Sequence, residues 1–321
     1  MFEVAASEVQ QLDDSDLREL IARLCKAKLE KNGISPKYVT WGGEQTAPDG
    51  GEDVTVESPA KLISDYIPHK HTVFQVKKEP LIPSKIEKEM KPKGKIRSFF
   101  NSFSDGECAY IIASSGKSLT KQSVHARVAK MNEILAQNQL PNIETDFLCS
   151  RKIADWVETF PSLVVWVKNK CGVSLSGWRS YDNWSNHRLG VDAEYVVDAK
   201  SRIEYRGNLE TIENGISLIR ERLKSTDKSL RIIGKSGVGK TRFLQAIFDE
   251  RIGDNTPSTY QVLYADMGGA PSPMPVQVIE ALIKAKRSVV VVLDNCSSSD
   301  HKRITEICTH AKSTVSLITV E

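Results

Sequence analysis

Leu230-Arg-Ile-Ile-Gly-Lys-Ser-Gly-Val-Gly-Lys-Thr241 is the stretch on which the fold of the second half of the chain turns. Residues 230–233 have strand character, residues 241–250 carry a helix pattern, and the glycine-rich segment between them fits G-x-x-x-x-G-K-[ST]. That pattern has structural meaning only between a strand and a helix, and both are predicted here. Gly234, Gly237 and Gly239 free the backbone to turn its N–H groups inward. The main chain of the loop, Ser236 and Val238 included, then lines a cradle for phosphates, and the N-terminus of the helix adds partial positive charge. In such a loop Lys240 reaches the β- and γ-phosphates and the Thr241 hydroxyl ligates Mg²⁺. A nucleoside triphosphate with Mg²⁺ is the expected ligand.

Outward from the loop, strand and helix patterns alternate. Leu209, Ile212, Ile216, Ile219 and Leu223 recur at helical spacing over 209–224, and a polar break at 225–229 precedes the loop strand. Beyond the loop come a strand at 261–264, a helix at 276–285 and the run Val289-Val-Val-Val-Leu-Asp294. Such an apolar run makes a strand buried on both faces. The acid at its C-terminal end then lies at the carboxyl edge of the sheet, where it meets the Mg²⁺ of the nucleotide. The alternation predicts a parallel α/β sheet from about residue 229 onward. Asn295 stands where a second acid commonly follows, so nucleotide binding is expected without a visible general base for hydrolysis.

These residues resemble the STAND class of signalling ATPases. The likeness rests on the phosphate loop, on Tyr264-Ala-Asp-Met-Gly268, on Leu293-Asp-Asn-Cys296, and on Leu317-Ile-Thr319 in the place of the sensor-1 strand. It covers roughly 205–321 and implies ATP as the nucleotide and a switch: nucleotide state and a C-terminal sensor control oligomerisation, which activates an N-terminal effector. The helical lid, winged helix and sensor repeats of the class have no counterpart here, and Leu317-Ile-Thr-Val-Glu321 ends just after a strand pattern. The chain is therefore expected to be a fragment of a longer protein. Its expected domains are 1–204 and 205–321.

The first half carries a different constellation. Asp49-Gly-Gly-Glu-Asp53 runs into the short strand pattern Val54-Thr-Val56, and Thr72-Val-Phe-Gln-Val-Lys77 and Ala109–Ala113 are further strand patterns. Helices are predicted over 14–32, 119–138 and 150–158, and weak strand patterning over the tryptophan-containing stretch 161–205. Gln75 and Lys77 lie two apart in a strand, so their side chains share a face, and Asp53 on a neighbouring strand can meet them there. The Asp53 carboxylate, the Gln75 amide oxygen and the Val76 carbonyl are hard oxygen donors suited to Mg²⁺. The metal would activate a bound water, and Lys77 would position the attacking hydroxide or neutralise the scissile phosphate.

Gly51-Glu-Asp53 and Gln75-Val-Lys77 resemble the PD-(D/E)xK nucleases, and among them the Mrr type of restriction endonuclease with its pattern G-x-D-(strand)-Q-x-K. The resemblance implies a restriction-endonuclease-like αβ domain that cuts double-stranded DNA. Pro48-Asp49 spells the literal "PD", which makes Asp49 a rival metal ligand; Asp53 is preferred because it abuts the strand. A glutamate that this family often carries on its first helix fits poorly. At ~100° per residue, Glu19 lies on the far side from the apolar stripe that includes Leu17. The better-phased position holds Arg18, and Asp16-x-x-Glu19 reads as a capping box.

Between Lys70 and Arg97 stand nine Lys or Arg against three Glu, in a chain whose net charge is only +3. A basic stripe beside Q-x-K would hold a DNA backbone without reading its sequence. The alternative is a solvated helix face with pairs of the Lys85/Glu89 type. With 40% hydrophobic and 26% charged residues, the chain belongs with globular rather than disordered sequences. Its best apolar runs, Leu163–Val167 and Val289–Leu293, fall far short of the ~18 residues of a membrane span. The N-terminus has neither the basic nor the apolar region of a signal peptide. Six cysteines form no C-x-x-C pair, and Cys308 with His310 is the only near Cys/His pair. That spacing suits free thiols in a reducing cytoplasm better than a zinc site.

The combination resembles the antiviral STAND proteins of bacteria and archaea (the Avs group). Glu89-Met-Lys-Pro-Lys-Gly94, Asp155-Trp-Val157 and Ser176-Gly-Trp178 share in that likeness. It implies a defence effector in which a phage protein, sensed by a C-terminal region, drives ATP-dependent assembly into a homo-oligomer, a tetramer by resemblance, and so switches on DNA cutting. The alternatives are a constitutive restriction-type endonuclease whose ATPase remodels DNA, and a non-catalytic nucleotide-binding scaffold.

Overall fold

Short alternating strands and amphipathic helices build the first unit, residues 3–159 with 170–172. In chain order these are α1 (Ala6–Gln11), α2 (Asp14–Lys31), β1 (Val39–Trp41), β2 (Val54–Glu57), β3 (His71–Lys77), α3 (Pro83–Met90), β4 (Cys108–Ser114), α4 (Lys121–Gln137), β5 (Glu144–Cys149) and α5 (Ser150–Val157). The computed structural model describes residues 2–42, 51–62, 64–103, 107–173, 175–185, 195, 200–224, 229–309 and 313–321. The sheet runs β1-β2-β3-β4-β5, antiparallel from β1 to β3 and parallel from β3 to β5.

β4, at the parallel centre, is buried along its whole length, which is why Ala109–Ala113 reads as a continuous apolar run. On one face Val73, Tyr110, Ile112 and Phe147 pack with Ile86 and Met90 of α3 and Met131 and Ile134 of α4. Phe74 points the other way, its ring 6.1 Å from that of Trp156 in α5. Gln75 and Lys77 share the face of Val73, so they sit beneath α3.

The start of α2 corrects one expectation. Asp13 is the N-cap, its Oδ1 accepting from the Asp16 N–H at 2.7 Å. Asp16 is already inside the helix, and Glu19 accepts from Arg23 Nε at 2.8 Å, so no capping box joins residues 16 and 19.

The second unit consists of residues 1–2, 160–169 and 173–321. Its elements are α6 (Pro161–Lys170), β6 (Trp178–Ser180), α7 (Tyr181–Ser185), β7 (Ile203–Tyr205), β8 (Asn208–Glu210), α8 (Ile212–Lys224), β9 (Ser229–Ile232), α9 (Lys240–Ile247), β10 (Val262–Asp266), α10 (Pro275–Lys284), β11 (Val289–Asp294), α11 (Ser298–Cys308) and β12 (Val315–Val320). The sheet order is β6-β10-β11-β12-β9. All its neighbours are parallel except β6, which pairs antiparallel with β10. The parallel sheet expected from about residue 229 is thus present, with an edge strand drawn from residues 178–180.

Residues 161–170 are helical rather than weakly stranded. The run Leu163–Val167 is buried throughout and carries no alternation, and a short apolar run of that kind fits a buried helix as well as a strand. Among the described residues no helix is long and apolar enough to cross a membrane. The six cysteines are free of disulfides.

Candidate functional site

β9 delivers the glycine loop at the carboxyl edge of the second sheet. Gly237 and Gly239 take φ of +82° and +91°, in the left-handed region, and no atom lies within 4 Å of where a Cβ would stand on either. The backbone conformation rather than crowding therefore demands glycine there. Lys240 opens α9, and its Nζ donates to the carbonyls of Gly234 (2.6 Å) and Lys235 (2.9 Å), folding across the loop. Thr241 Oγ1 donates to Asp294 Oδ2 at 3.1 Å. The same oxygen accepts from Tyr264 OH at 3.1 Å, and the Asn295 N–H donates to Asp294 Oδ1 at 3.0 Å.

β12 lies between β9 and β11, so the loop and Asp294 come from strands that are not neighbours. Thr241 closes that gap from the first turn of α9. Loop backbone, Lys240, Thr241 and Asp294 therefore meet at one edge. A flexible ammonium resting on carbonyls, beside a hydroxyl–carboxylate pair of hard oxygens, is a donor set that fits a magnesium-bound triphosphate. The sequence shows Tyr264 within a strand pattern, and its bond to Asp294, 30 residues on, emerges only in the fold. Burial and the neighbouring Asp294 charge hold the Tyr264 phenol well above its ordinary pKa, so it is a hydrogen-bond donor at neutral pH.

The first-unit constellation divides into two groups. Asp53, buried just ahead of β2, accepts from the Val76 N–H at 2.6 Å through Oδ2. Arg18 Nε of α2 lies 3.5 Å from Oδ1. The Ser58 N–H donates to the Lys70 carbonyl at 2.8 Å, and the antiparallel alternation set by that pair turns the N–H and C=O of Thr72, Phe74 and Val76 toward β2. The Val76 carbonyl thus faces the same edge as Asp53. Gly51, at φ +96°, leaves room for the Arg97 guanidinium, whose Cζ lies 2.6 Å from the position a Cβ would take.

Gln75, fully buried, belongs to the other group. Its amide oxygen accepts from Tyr110 OH, and its Nε2 donates to Glu89 Oε2 at 2.6 Å. Lys77 Nζ stands 3.5 Å and Arg97 Nη2 3.6 Å from that same Glu89 oxygen, while Arg97 Nε donates to the Glu89 carbonyl at 2.6 Å. Burial raises the Tyr110 pKa; Arg97 lowers it, and Glu89 and Asp53 raise it again. Both carboxylates therefore act on one phenol.

Sequence reasoning missed Glu89. The sequence gives its side chain a place only in the alternative of a solvated face with Lys85/Glu89-type pairs, and Lys85 instead lies 3.4 Å from Glu79. Glu89 follows the buried Ile86 by three positions and precedes the buried Met90, and that phase turns it toward the sheet. The same phase logic does place Arg18 at the site, as an arginine where the resembling family often has an acid. Asp49 and His310 lie outside the described residues.

Among the described residues no group of three or more His, Cys, Asp or Glu is placed to hold a metal ion. The hard donors left at the Asp53 edge are its carboxylate and the Val76 carbonyl. Two protein oxygens are enough for Mg²⁺, which keeps waters and takes further oxygens from a phosphate substrate. Of the basic stripe, Lys78, Lys85, Lys88, Lys93 and Lys95 are exposed. No protein-family model matches the chain, and no curated protein matches it.

Proposed function

We propose that the chain is an antiphage effector in which a Mg²⁺-dependent DNA endonuclease, carried by the first unit, is gated by ATP-dependent assembly of the second. The observation that carries the nucleotide half is the Thr241–Asp294 hydrogen bond beneath a loop with two left-handed glycines. Backbone N–H groups of 234–239 would grip the phosphates, and Lys240 would exchange its loop carbonyls for them. Thr241 and Asp294 would hold Mg²⁺, which supplies charge neutralisation when bound. The STAND and Mrr resemblances supply the coupling of switch to nuclease. Gating fits the chemistry, because a backbone-binding nuclease that does not read sequence would cut any DNA it met.

In the first unit, Asp53 and Val76 would hold the Mg²⁺ that activates water. Lys77 and Arg18 are the cations available to a scissile phosphate, and Glu89 with Tyr110 fixes Gln75 and Lys77 in place. The pairing of Arg18 with Asp53 and of Lys77 with Glu89 also supports a second reading, in which the first unit binds DNA without cutting it. Plasmid nicking in Mg²⁺ or Mn²⁺ separates the two. The endonuclease reading expects nicking that Lys77→Ala abolishes at an unchanged thermal midpoint. DNA binding by a chain that never nicks leaves the scaffold. In parallel, Lys240→Ala should weaken ATP binding by about tenfold or more, as expected for losing a phosphate-bound cation; unchanged affinity removes the phosphate-loop assignment.

A further inference from the structure

The sequence offers Asp294 no neighbouring acid to activate water, because residue 295 is asparagine. We propose that Asp266, one strand over, is that acid: the general base that takes the proton of the water attacking a bound nucleoside triphosphate. The proposal rests on the nucleotide-binding reading above.

β10 and β11 are parallel and in register, with Asp266 directly beside Asp294. The two residues therefore end adjacent strands, whose backbones lie ~4.8 Å apart in a sheet, at the edge that carries the glycine loop. They are bonded differently. Asp294 accepts from Thr241, Tyr264 and the Asn295 N–H, which commits both its oxygens. Among the described residues Asp266 accepts through Oδ1, from the Gly268 N–H at 2.9 Å and Asn295 Nδ2 at 2.8 Å. Its Oδ2 has no hydrogen-bond donor among the described residues. One oxygen is clamped, and the other is left to accept.

Asn295 explains the clamp. It sits at φ +52°, a left-handed conformation that asparagine tolerates, and its amide reaches across to the end of β10. An amide cannot take a proton from water, but it can hold a carboxylate that does. Asn295 is thus a positioning residue. Gly268 completes the wrap: a Cβ on it would stand 3.3 Å from Asp266 Oδ1. The segment Tyr264-Ala-Asp-Met-Gly268 thereby gains a role that phosphate binding alone did not give it.

In the proposed step the water oxygen bonds to the γ-phosphorus as its proton passes to Asp266 Oδ2. The bond from the γ-phosphorus to the β–γ bridging oxygen breaks, and its electron pair leaves on the diphosphate. Asp266 then returns the proton to solvent, so ATP and water give ADP, phosphate and one proton.

Asp266→Asn tests this with little disturbance, because the asparagine oxygen can still accept from Gly268 and Asn295. The full chain is assayed for ATP binding by calorimetry and for phosphate release with Mg²⁺. The variant should bind ATP within about threefold of wild type while turnover falls about a hundredfold or more, the usual effect of losing a general base. Asn295→Ala should lower kcat less, with KM unchanged. Turnover of Asp266→Asn within about threefold of wild type overturns the proposal. So does a wild-type chain that binds ATP and releases no phosphate. A wild type that binds no ATP overturns the nucleotide reading itself, and this proposal with it.

Discussion

Arg220 of α8 is almost fully buried, and all five of its N–H groups end on main-chain carbonyls. Nε donates to Ile247 at 2.8 Å, Nη1 to Ile252 and to Asp254 (2.9 Å), and Nη2 to Ala246 (3.2 Å) and Asp249 (2.9 Å). Ala246 and Ile247 are the last residues of α9, whose carbonyls have no partner within the helix. The guanidinium therefore caps the negative end of the helix that begins with Lys240 and Thr241. Arg220→Met keeps the stem and approximate volume but removes all five donors. Hydrogen bonds to a charged group contribute ~1.5–3 kcal/mol each, but five do not add, because the arginine's own desolvation is removed too. A loss of about 3–5 kcal/mol follows, because the main-chain carbonyls that Arg220 serves are left without donors, at ~1–3 kcal/mol for each that stays buried. At ~2–4 °C per kcal/mol for a unit of this size, the melting transition of the second unit should fall by about 10 °C. Differential scanning calorimetry reads that transition, and titration with ATP reports whether the loop loosens with it. A loss below about 1 kcal/mol would show that water serves these carbonyls as well as Arg220 does, and would refute the capping role.

Two further perturbations have definite outcomes. A Cβ on Gly116, just past β4, would lie 2.2 Å from the Pro80 nitrogen and 2.6 Å from its Cα. Gly116→Ala must therefore move the backbone that follows Lys77, and urea unfolding of the first unit should show a loss of about 1–3 kcal/mol. Burial pushes the Cys308 thiol up from 9 to about 12. A raised folded-state pKa means that its contribution is intact below pH 9 and is lost as pH rises from about 9 toward 12. Cys308→Ala should remove that part of the alkaline loss, so wild-type and variant stability curves that stay parallel from pH 8 to 11 would contradict it.

The phosphate loop was legible because it is local. One strand, eight residues and one helix specify it, and only glycine suits the positive φ at 237 and 239. Asp294 was legible for a similar reason, since it ends an unbroken apolar run. What escaped depends on partners distant in sequence. β5 opens with Glu144-Thr-Asp, and becomes a strand because it pairs with β4. β6 has three residues and exists by pairing with β10. Nothing near Arg220 in sequence shows that its acceptors lie 26 to 34 residues further on. Asp266 has no visible role in the sequence, because only the register of β10 with β11 sets it beside Asp294.

The first-unit site poses a question of charge that the sequence could not raise. Asp53 and Glu89 are its carboxylates, and Arg18, Lys77 and Arg97 stand within 3.6 Å of one or the other. A divalent cation entering such a group meets positive neighbours at once, and with few protein oxygens it is poorly held alone. A DNA phosphate changes the balance in two ways. Its negative charge offsets the guanidinium and ammonium groups, and its oxygens add hard donors to the Asp53 carboxylate and the Val76 carbonyl. On the endonuclease reading, metal and DNA are therefore mutual requirements of the site, with Arg18 and Lys77 turning from carboxylates to phosphate as they arrive. Asp53 and Glu89 are then the partners from which these cations turn. On that reading an arginine at position 18 is compatible with phosphodiester cleavage, because it would supply charge to the phosphate where a second acid would supply a ligand to the metal.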